Sequence, residues 1–383
     1  MQNSAKQNSI NSYINKLKNK INWYWRPIDG WLKSKDLLKN PTEQNFPIDF
    51  VVTWVDGGDL EWQREKEYYY TGGQLQKTDN CTARYRDWEL LLYWFRAVEK
   101  YAPWVNKVYF VTNGQLPEWL NINNDKMRFI THKEFIPEKY LPTFCSDVIE
   151  LNLWRIPGLS EHFVYFNDDV FLNNFVKPED FFQHGLPNCF AVAKPICVDK
   201  IADFWQMRML NDYAIINSSF DIRQSIEKFP EKFYSCILTK GEKRANNRLY
   251  MDNYISGMVY THTVQNFLKS TFEEIWNRHE DSLDTACRTK FRTIDDLTII
   301  LAKLWQIFSG NFFPVKAKHF DTYIPLTNQE LGHLVDALRS DQYKFLCIND
   351  CVEIEDESVI LDIKKNLIKA FEEKFPMKSE FEL

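Results

Sequence analysis

The run HFVYFNDDVFLN, from His162 to Asn173, begins as a strand and breaks into carboxylates. Phe163-Val164-Tyr165-Phe166 is β-branched and aromatic, the composition of a short buried strand. Asn167-Asp168-Asp169 follows at once, and Val170-Phe171-Leu172 resumes the apolar run. A carboxylate at the end of an apolar strand is unfavourable unless a cation or a proton transfer uses it. Two readings stand side by side. Asp168 and Asp169 are hard oxygen ligands for Mg²⁺ or Mn²⁺ bridging substrate phosphates, or Asn-Asp-Asp is simply good turn chemistry.

Upstream of this run, Ile48–Trp54 (IDFVVTW) is a second buried-strand signal, bounded by Pro47 and by Asp56-Gly57-Gly58. Open α/β sheets place ligand contacts at the carboxyl ends of such strands, which makes Asp56 a candidate. The segment 59–80 reads as an irregular excursion. Arg84–Lys100 reads as a helix with an apolar stripe through Leu90, Leu91, Trp94, Phe95 and Val98. Val105–Thr112 and Met127–Thr131 read as strands, with a helix after Thr143 running to about Trp154. The pattern predicts an α/β core with a mixed or mainly parallel sheet. Downstream, helices are expected within 200–250, at Thr271–Asn277, at Leu297–Phe308 and at Ser358–Lys374.

The whole chain of 383 residues carries a net charge of −6, which argues against nucleic acid as a partner. The charge is segregated: residues 1–40 hold eight basic and two acidic residues, +6, leaving −12 for the rest. Ile10, Tyr13, Ile14, Leu17, Ile21 and Tyr24 recur at helical spacing among these lysines, and Trp23, Trp25 and Trp31 follow. Such a segment either lies on an anionic membrane surface or docks on the globular body with its lysines solvated. No apolar leader follows the start and the eight cysteines are scattered, so a reduced, cytoplasmic protein is expected.

Absent motifs narrow the chemistry. The chain has no GxxxxGK[ST], no GxGxxG and no GxSxG. A nucleotide site here must therefore use carboxylates, a metal and arginines instead of a glycine-rich cradle. His262, in Tyr260-Thr261-His262-Thr263, is either a structural histidine or a base of near-neutral pKa. Arg288 and Arg292, in CRTKFRTIDD, are either surface ion pairs or bidentate phosphate ligands, and Arg84 and Arg86 admit the same two readings.

Taken together, these blocks resemble the Stealth family. IDFVVTWVDGGD (48–59) is similar to its first conserved region. The stretch 84–120, continued through 132–172, is similar to the second; 260–297 is similar to the third, and FLCIND (345–350) to the fourth. The resemblance implies a Rossmann-like nucleotide-sugar transferase core over 46–350, between a basic N-terminal segment (1–45) and a helical C-terminal extension (351–383). It implies transfer of a sugar-1-phosphate from a UDP-sugar to a hydroxyl of a glycan or lipid-linked glycan, with release of UMP. It assigns Asp56, Asn167, Asp168, Asp169, His262 and Arg292 to the active site. The metal falls to Asp168 and Asp169, catalysis to His262, Asp56 and Arg292, and substrate binding to Arg84, Arg86, Asn167 and Arg288. A metal-dependent glycosyltransferase releasing UDP and a non-catalytic assembly subunit are the competing expectations.

Overall fold

Strict alternation along the first strands builds two cores at once. In β1 (Ile48–Thr53), Val51 enters one core while Ile48, Phe50 and Val52 enter the other. The strands β2 (Val108–Thr112), β3 (Met127–Thr131) and β4 (His162–Phe166) lie parallel to β1 in the order β3-β2-β1-β4. Tyr109, Val111, Phe163 and Tyr165 face the first core; Val108, Phe110, Val164 and Phe166 face the second. A side-chain period of two places apolar residues on both faces, as a sheet covered by helices on each side requires.

The computed structural model describes residues 26–39, 45–72, 82–197, 204–316, 321–350 and 356–383, with the side chains of Thr82, Arg84 and Asp321 excluded. The predicted amphipathic stretch within 1–25, and Cys81 and Cys351, lie outside the described residues. The expected α/β core with a mainly parallel sheet is present. Its fifth strand is antiparallel. After β5 (Val170–Leu172), β6 (Phe182–Gln183) and β7 (Leu186–Cys189), the chain forms β8 (Gln265–Leu268), which pairs antiparallel with β4. Two three-stranded sheets complete the architecture. One joins β6, β7 and β9 (Phe313–Pro314); the other has the order β10 (Asp321–Pro325), β11 (Phe345–Asn349), β5.

Several elements differ from expectation, each for a local reason. The segment after Asp59 is a helix, Leu60–Thr71, because the Asp59 carboxylate accepts from the Glu61 and Trp62 amides and caps it. The predicted helix over Arg84–Lys100 is shortened to Leu91–Tyr101, with a 3₁₀ turn at Thr82–Tyr85. Between them Glu89 adopts φ +58°, and its amide bonds the Asp87 side chain, so the chain turns before the apolar stripe begins. The short helix expected at Thr271–Asn277 runs from Lys269 to Cys287, bent where His279 leaves helical geometry. The C-terminal helix Glu357–Lys374 buries Ile363, Leu367, Ala370 and Phe371 in the second core. The chain end is tied down by Arg96, which donates from Nε and Nη2 to the two Glu382 oxygens at 2.8 and 2.7 Å. Among the described residues no helix is long and apolar enough to cross a membrane.

The turn after β3 carries a buried His132, whose pKa burial pushes down to about 4. In the unfolded chain the same ring titrates near its ordinary 6.5. The unfolded state therefore binds more protons through that window, and stability falls as pH drops from 6.5 towards 4. The expected loss between pH 7 and pH 5 is about 2 kcal/mol from this residue alone. Urea midpoints at the two pH values, compared between the wild type and His132→Phe, check it; an equal pH dependence in both proteins contradicts it.

Candidate active site

Parallel strands bring the carboxyl ends of β1 and β4 to one edge of the sheet, where open α/β proteins hold their ligands. A cleft of about 690 Å³ opens there. Asn167, Asp168, Asp169, His262, Arg292 and Arg86 all line it. Residues separated by more than ninety positions in sequence thus meet, because β8 lies beside β4 and carries the segment around His262 to the end of that strand.

Asp169 is the centre of the arrangement. Its Oδ2 accepts from Asn349 Nδ2 at 2.9 Å and from Cys347 Sγ at 3.6 Å, and lies 3.4 Å from His262 Nε2. Both β11 residues reach it because β11 pairs with β5, directly after the carboxylate pair. Burial alone would raise the Asp169 pKa; the His262 contact, followed by the Asn349 and Cys347 hydrogen bonds, holds it below the usual carboxylate value. Burial works in the opposite direction on His262, and the Asp169 hydrogen bond and charge outweigh it, so the imidazole is a stronger base than usual. Asp168 is open to the cleft. The surrounding walls, then Asp169 and Asp87, push its pKa upward.

Among the described residues Asp169 Oδ1 is buried without a hydrogen-bond partner, and Asp168 stands next to it as a carboxylate destabilised by its neighbours. Both features are what a divalent cation relieves, and two carboxylates suit Mg²⁺ or Mn²⁺. Asp169, His262 and Cys347 also offer ligand atoms within 4.8 Å of one another, but that oxygen, nitrogen and sulfur set is softer than these ions prefer. Of these groups, Asp168 and Asp169 have the chemistry that fits a hard cation.

The opposite wall rises from the helix Ser146–Asn152. Its first turn places Ser146 and Asp147 against Arg292, whose Nη2 donates to Ser146 Oγ at 2.5 Å and whose Nε lies 3.8 Å from Asp147 Oδ2. Arg208 forms a closer, buried ion pair with the same Asp147 oxygen. Burial opposes the charge on Arg292, and Asp147 more than restores it, so the guanidinium is a permanent cation. One turn on, the buried Glu150 accepts from the Tyr165 hydroxyl at 3.0 Å, and that hydroxyl accepts from Asn167 Nδ2 at 3.1 Å. Burial, followed by Asp147, raises the Glu150 pKa. The Asn167 amide nitrogen is therefore held from beneath by Tyr165 and Glu150.

Two sequence candidates are placed elsewhere. Asp56 turns away from the cleft: its Oδ1 accepts from the Gly58 amide at 2.8 Å and it lines an adjoining groove, which meets the cleft only at Arg86 and Asp87. The next residue, Gly57, sits so close to Tyr85 that a Cβ there would lie 1.8 Å from the Tyr85 carbonyl oxygen. Arg288 is an exposed helix-end residue whose Nε donates to Asp284 Oδ2 at 2.7 Å, the surface ion pair of the two readings offered for it. The Arg84 side chain lies outside the described residues. Arg86 reaches the cleft but is bound to Asp350 at 2.8 Å, an oxygen it shares with Trp88 Nε1 at 3.0 Å.

Asp147, Glu150, Arg208 and Asn349 were missed by sequence reasoning. The first two left a legible signal: carboxylates at i and i+3 within the apolar run Asp147-Val148-Ile149-Glu150-Leu151 must be buried and used. Arg208 and Asn349 left none, since each enters through tertiary pairing.

A mainly parallel sheet carries an acidic pair, a supported imidazole and a part-buried guanidinium at its carboxyl edge, groups suited to phosphoryl transfer. Comparison with known proteins specifies it further. Residues 46–72 match Stealth protein CR1, conserved region 1, and residues 84–189 match Stealth protein CR2, conserved region 2. The chain is 41% identical over 339 residues to a capsular polysaccharide phosphotransferase, WcwK, of Streptococcus pneumoniae, covering 88% of this chain and 98% of that one. It is 38% identical over 355 residues to the exopolysaccharide phosphotransferase cps2G of Lactiplantibacillus plantarum, covering 89% and 98%. Among solved structures, the galactosyltransferase LgtC with donor and acceptor sugar analogs superposes with a TM-score of 0.33 at 12% identity, over 87% of this chain and 98% of that one. The chain belongs to the Stealth family.

Proposed function

We propose that the cleft transfers a hexose-1-phosphate, or an N-acetylhexosamine-1-phosphate, from a UDP-sugar to a hydroxyl of a growing surface glycan. A phosphodiester forms and UMP is released. The observation that carries this reading is the pairing of His262 with Asp169 directly beside the open Asp168, with Arg292 in the same cleft. The relatives' names, capsular polysaccharide and exopolysaccharide phosphotransferase, support the substrate class.

In this reading the acceptor oxygen attacks the β-phosphorus of the donor and its proton passes to the His262 imidazole. The bond between the β-phosphorus and the bridging oxygen breaks, and that oxygen leaves with UMP. Asp169 holds the imidazole and raises its affinity for the proton. Arg292 offers a fixed positive charge to the non-bridging oxygens, where negative charge accumulates. Asp168 and Asp169 would hold Mg²⁺ or Mn²⁺, which neutralises the diphosphate and improves the leaving group. Nucleotide analysis by ion-exchange chromatography after turnover of a UDP-sugar panel tests the reaction. UMP is the expected product; UDP would instead identify a glycosyltransferase.

The acceptor is taken to be a lipid-linked glycan, presented at the cytoplasmic face of the membrane. The helix over 26–37 supports a membrane contact. Arg26 pairs with Glu227 at 2.9 Å, Gly30 lies against Pro230, and Ser34 Oγ accepts from the Cys236 amide at 2.8 Å, so one side of this helix is docked. The other side exposes Ile28, Trp31 and Leu32 among the lysines of the basic segment. Trp31→Glu combined with Leu32→Glu is expected to reduce sedimentation with phosphatidylserine vesicles several-fold and to leave turnover of a short soluble acceptor unchanged. Undiminished vesicle binding contradicts the contact.

A further inference from the structure

Large apolar side chains that are both solvent-exposed and inside the cleft are rare in this protein. Among the described residues there are two, Trp205 at 40% and Tyr323 at 47% exposure. They come from unrelated elements, the first turn of the helix Phe204–Ser219 and the strand β10. Both are linked to His262. The Tyr323 ring lies 6.2 Å from the imidazole, and Trp205 is linked to it through Tyr260, which lies 5.2 Å from Trp205 and 6.5 Å from the imidazole.

The charges of the cleft lie apart from these rings on the chain and in chemistry. Asp168, Asp169 and Arg292 suit an anionic diphosphate and its cation. A diphosphate has no use for exposed aromatic faces, whereas the C–H face of a pyranose does, and displacement by UDP separates a glycan from the donor's uracil. The hydroxyl that gives its proton to His262 must come within roughly 2.6–3.2 Å of a ring nitrogen. The sugar that carries this hydroxyl is then within reach of the rings flanking His262. The Tyr323 hydroxyl donates to Asn349 Oδ1 at 3.1 Å, and Asn349 itself holds Asp169, so this aromatic wall is anchored to the catalytic pair.

We propose that Trp205 and Tyr323 form the platform on which the pyranose ring of the glycan acceptor stacks, its reacting hydroxyl turned to His262. The inference rests on the transfer reaction above for the identity of the two substrates. It assigns the acceptor to the two rings and the donor diphosphate to Asp168, Asp169 and Arg292. It also makes these two residues determinants of acceptor choice, since flat C–H faces differ among hexoses in the placement of axial hydroxyls.

The test uses the full chain and two probes, methyl β-D-galactopyranoside and methyl β-D-glucopyranoside, observed by saturation-transfer NMR. Wild-type protein is expected to saturate the C–H protons of one face of at least one probe, with no displacement by UDP. Trp205→Ala with Tyr323→Ala should reduce this transfer about tenfold, and Trp205→Phe with Tyr323→Phe, which keeps both rings, should retain most of it. No transfer in the wild type, equal transfer in the alanine variant, or displacement by UDP overturns the proposal. Steady-state kinetics add a second readout: the alanine variant should raise the acceptor KM about tenfold with the donor KM unchanged, and an equal rise in both overturns it. If the wild type releases UDP instead of UMP, the reaction assigned above fails while the acceptor comparison still decides the platform.

Discussion

Replacing His262 with alanine is expected to lower kcat by about 10²–10⁴-fold, the range that a positioned proton acceptor contributes. The ring lines the cleft, is part-exposed and is not a core residue, so the thermal midpoint should change little. The donor KM should also stay close to the wild-type value, because the proposal assigns the diphosphate to Asp168, Asp169 and Arg292. Asp169→Asn is expected to produce a loss of similar size by another route. It removes the charge that raises the proton affinity of His262 and halves the acidic pair. The double variant should be barely worse than either single one, since the two groups act as a unit. Stopped assays at saturating donor and Mg²⁺ measure all three. A His262→Ala enzyme within tenfold of the wild type would remove the imidazole from the mechanism.

Arg208→Met is expected to cost about 3–5 kcal/mol of folding stability, the typical penalty for stripping one partner from a buried ion pair. Arg208 and Asp147 are both almost fully buried, and their pairing ties the helix Phe204–Ser219 to the helix Ser146–Asn152. With Arg208 gone, Asp147 keeps only Arg292 at 3.8 Å and the weak Cys145 thiol contact at 3.7 Å. Total stability of a folded domain is commonly about 5–15 kcal/mol, so the loss should be visible as a lowered urea midpoint and reduced soluble yield. Arg208→Met with Asp147→Leu removes both charges and should recover much of the stability, though without its support for Arg292 the enzyme should remain slow. A single variant within 1 kcal/mol of the wild type would show that Arg292 alone satisfies Asp147.

The parallel strands were legible because they are apolar on both faces and short. Phe163–Phe166 and Phe50–Val52 each feed two cores, and no amphipathic pattern competes with that reading. The antiparallel β8 was not legible: Gln265-Asn266-Phe267-Leu268 has two side-chain amides, and both make tertiary contacts. Asn266 Nδ2 donates to the Phe181 and Asn188 carbonyls, and Gln265 Oε1 accepts from Lys303 Nζ at 3.2 Å. The helix after Asp59 was hidden for the opposite reason. Its face is polar almost throughout and only Trp62 is buried, so its start is set by a cap and not by a stripe.

In the site, the residues legible in sequence were those whose chemistry is unusual where they stand. Asp168 and Asp169 follow an apolar strand, and His262 and Arg292 lie in blocks that resemble a known family. Asp56 lines an adjoining groove and Arg288 pairs with Asp284 on a helix surface, placements that only the tertiary structure decides. Trp205 and Tyr323 could not be told from ordinary core aromatics in a chain with 13 Trp and 18 Tyr, because exposure is a tertiary property.

The central claim is that the bond broken lies within the donor diphosphate and that the sugar leaves with its phosphate. A UDP-sugar labelled with ³²P at the β-phosphorus tests this most directly. After turnover with Mg²⁺ and acceptor, the label is expected in the glycan product, resistant to phosphatase as a phosphodiester is, with UMP unlabelled. Label recovered as UDP, with an unlabelled glycan product, would contradict the account.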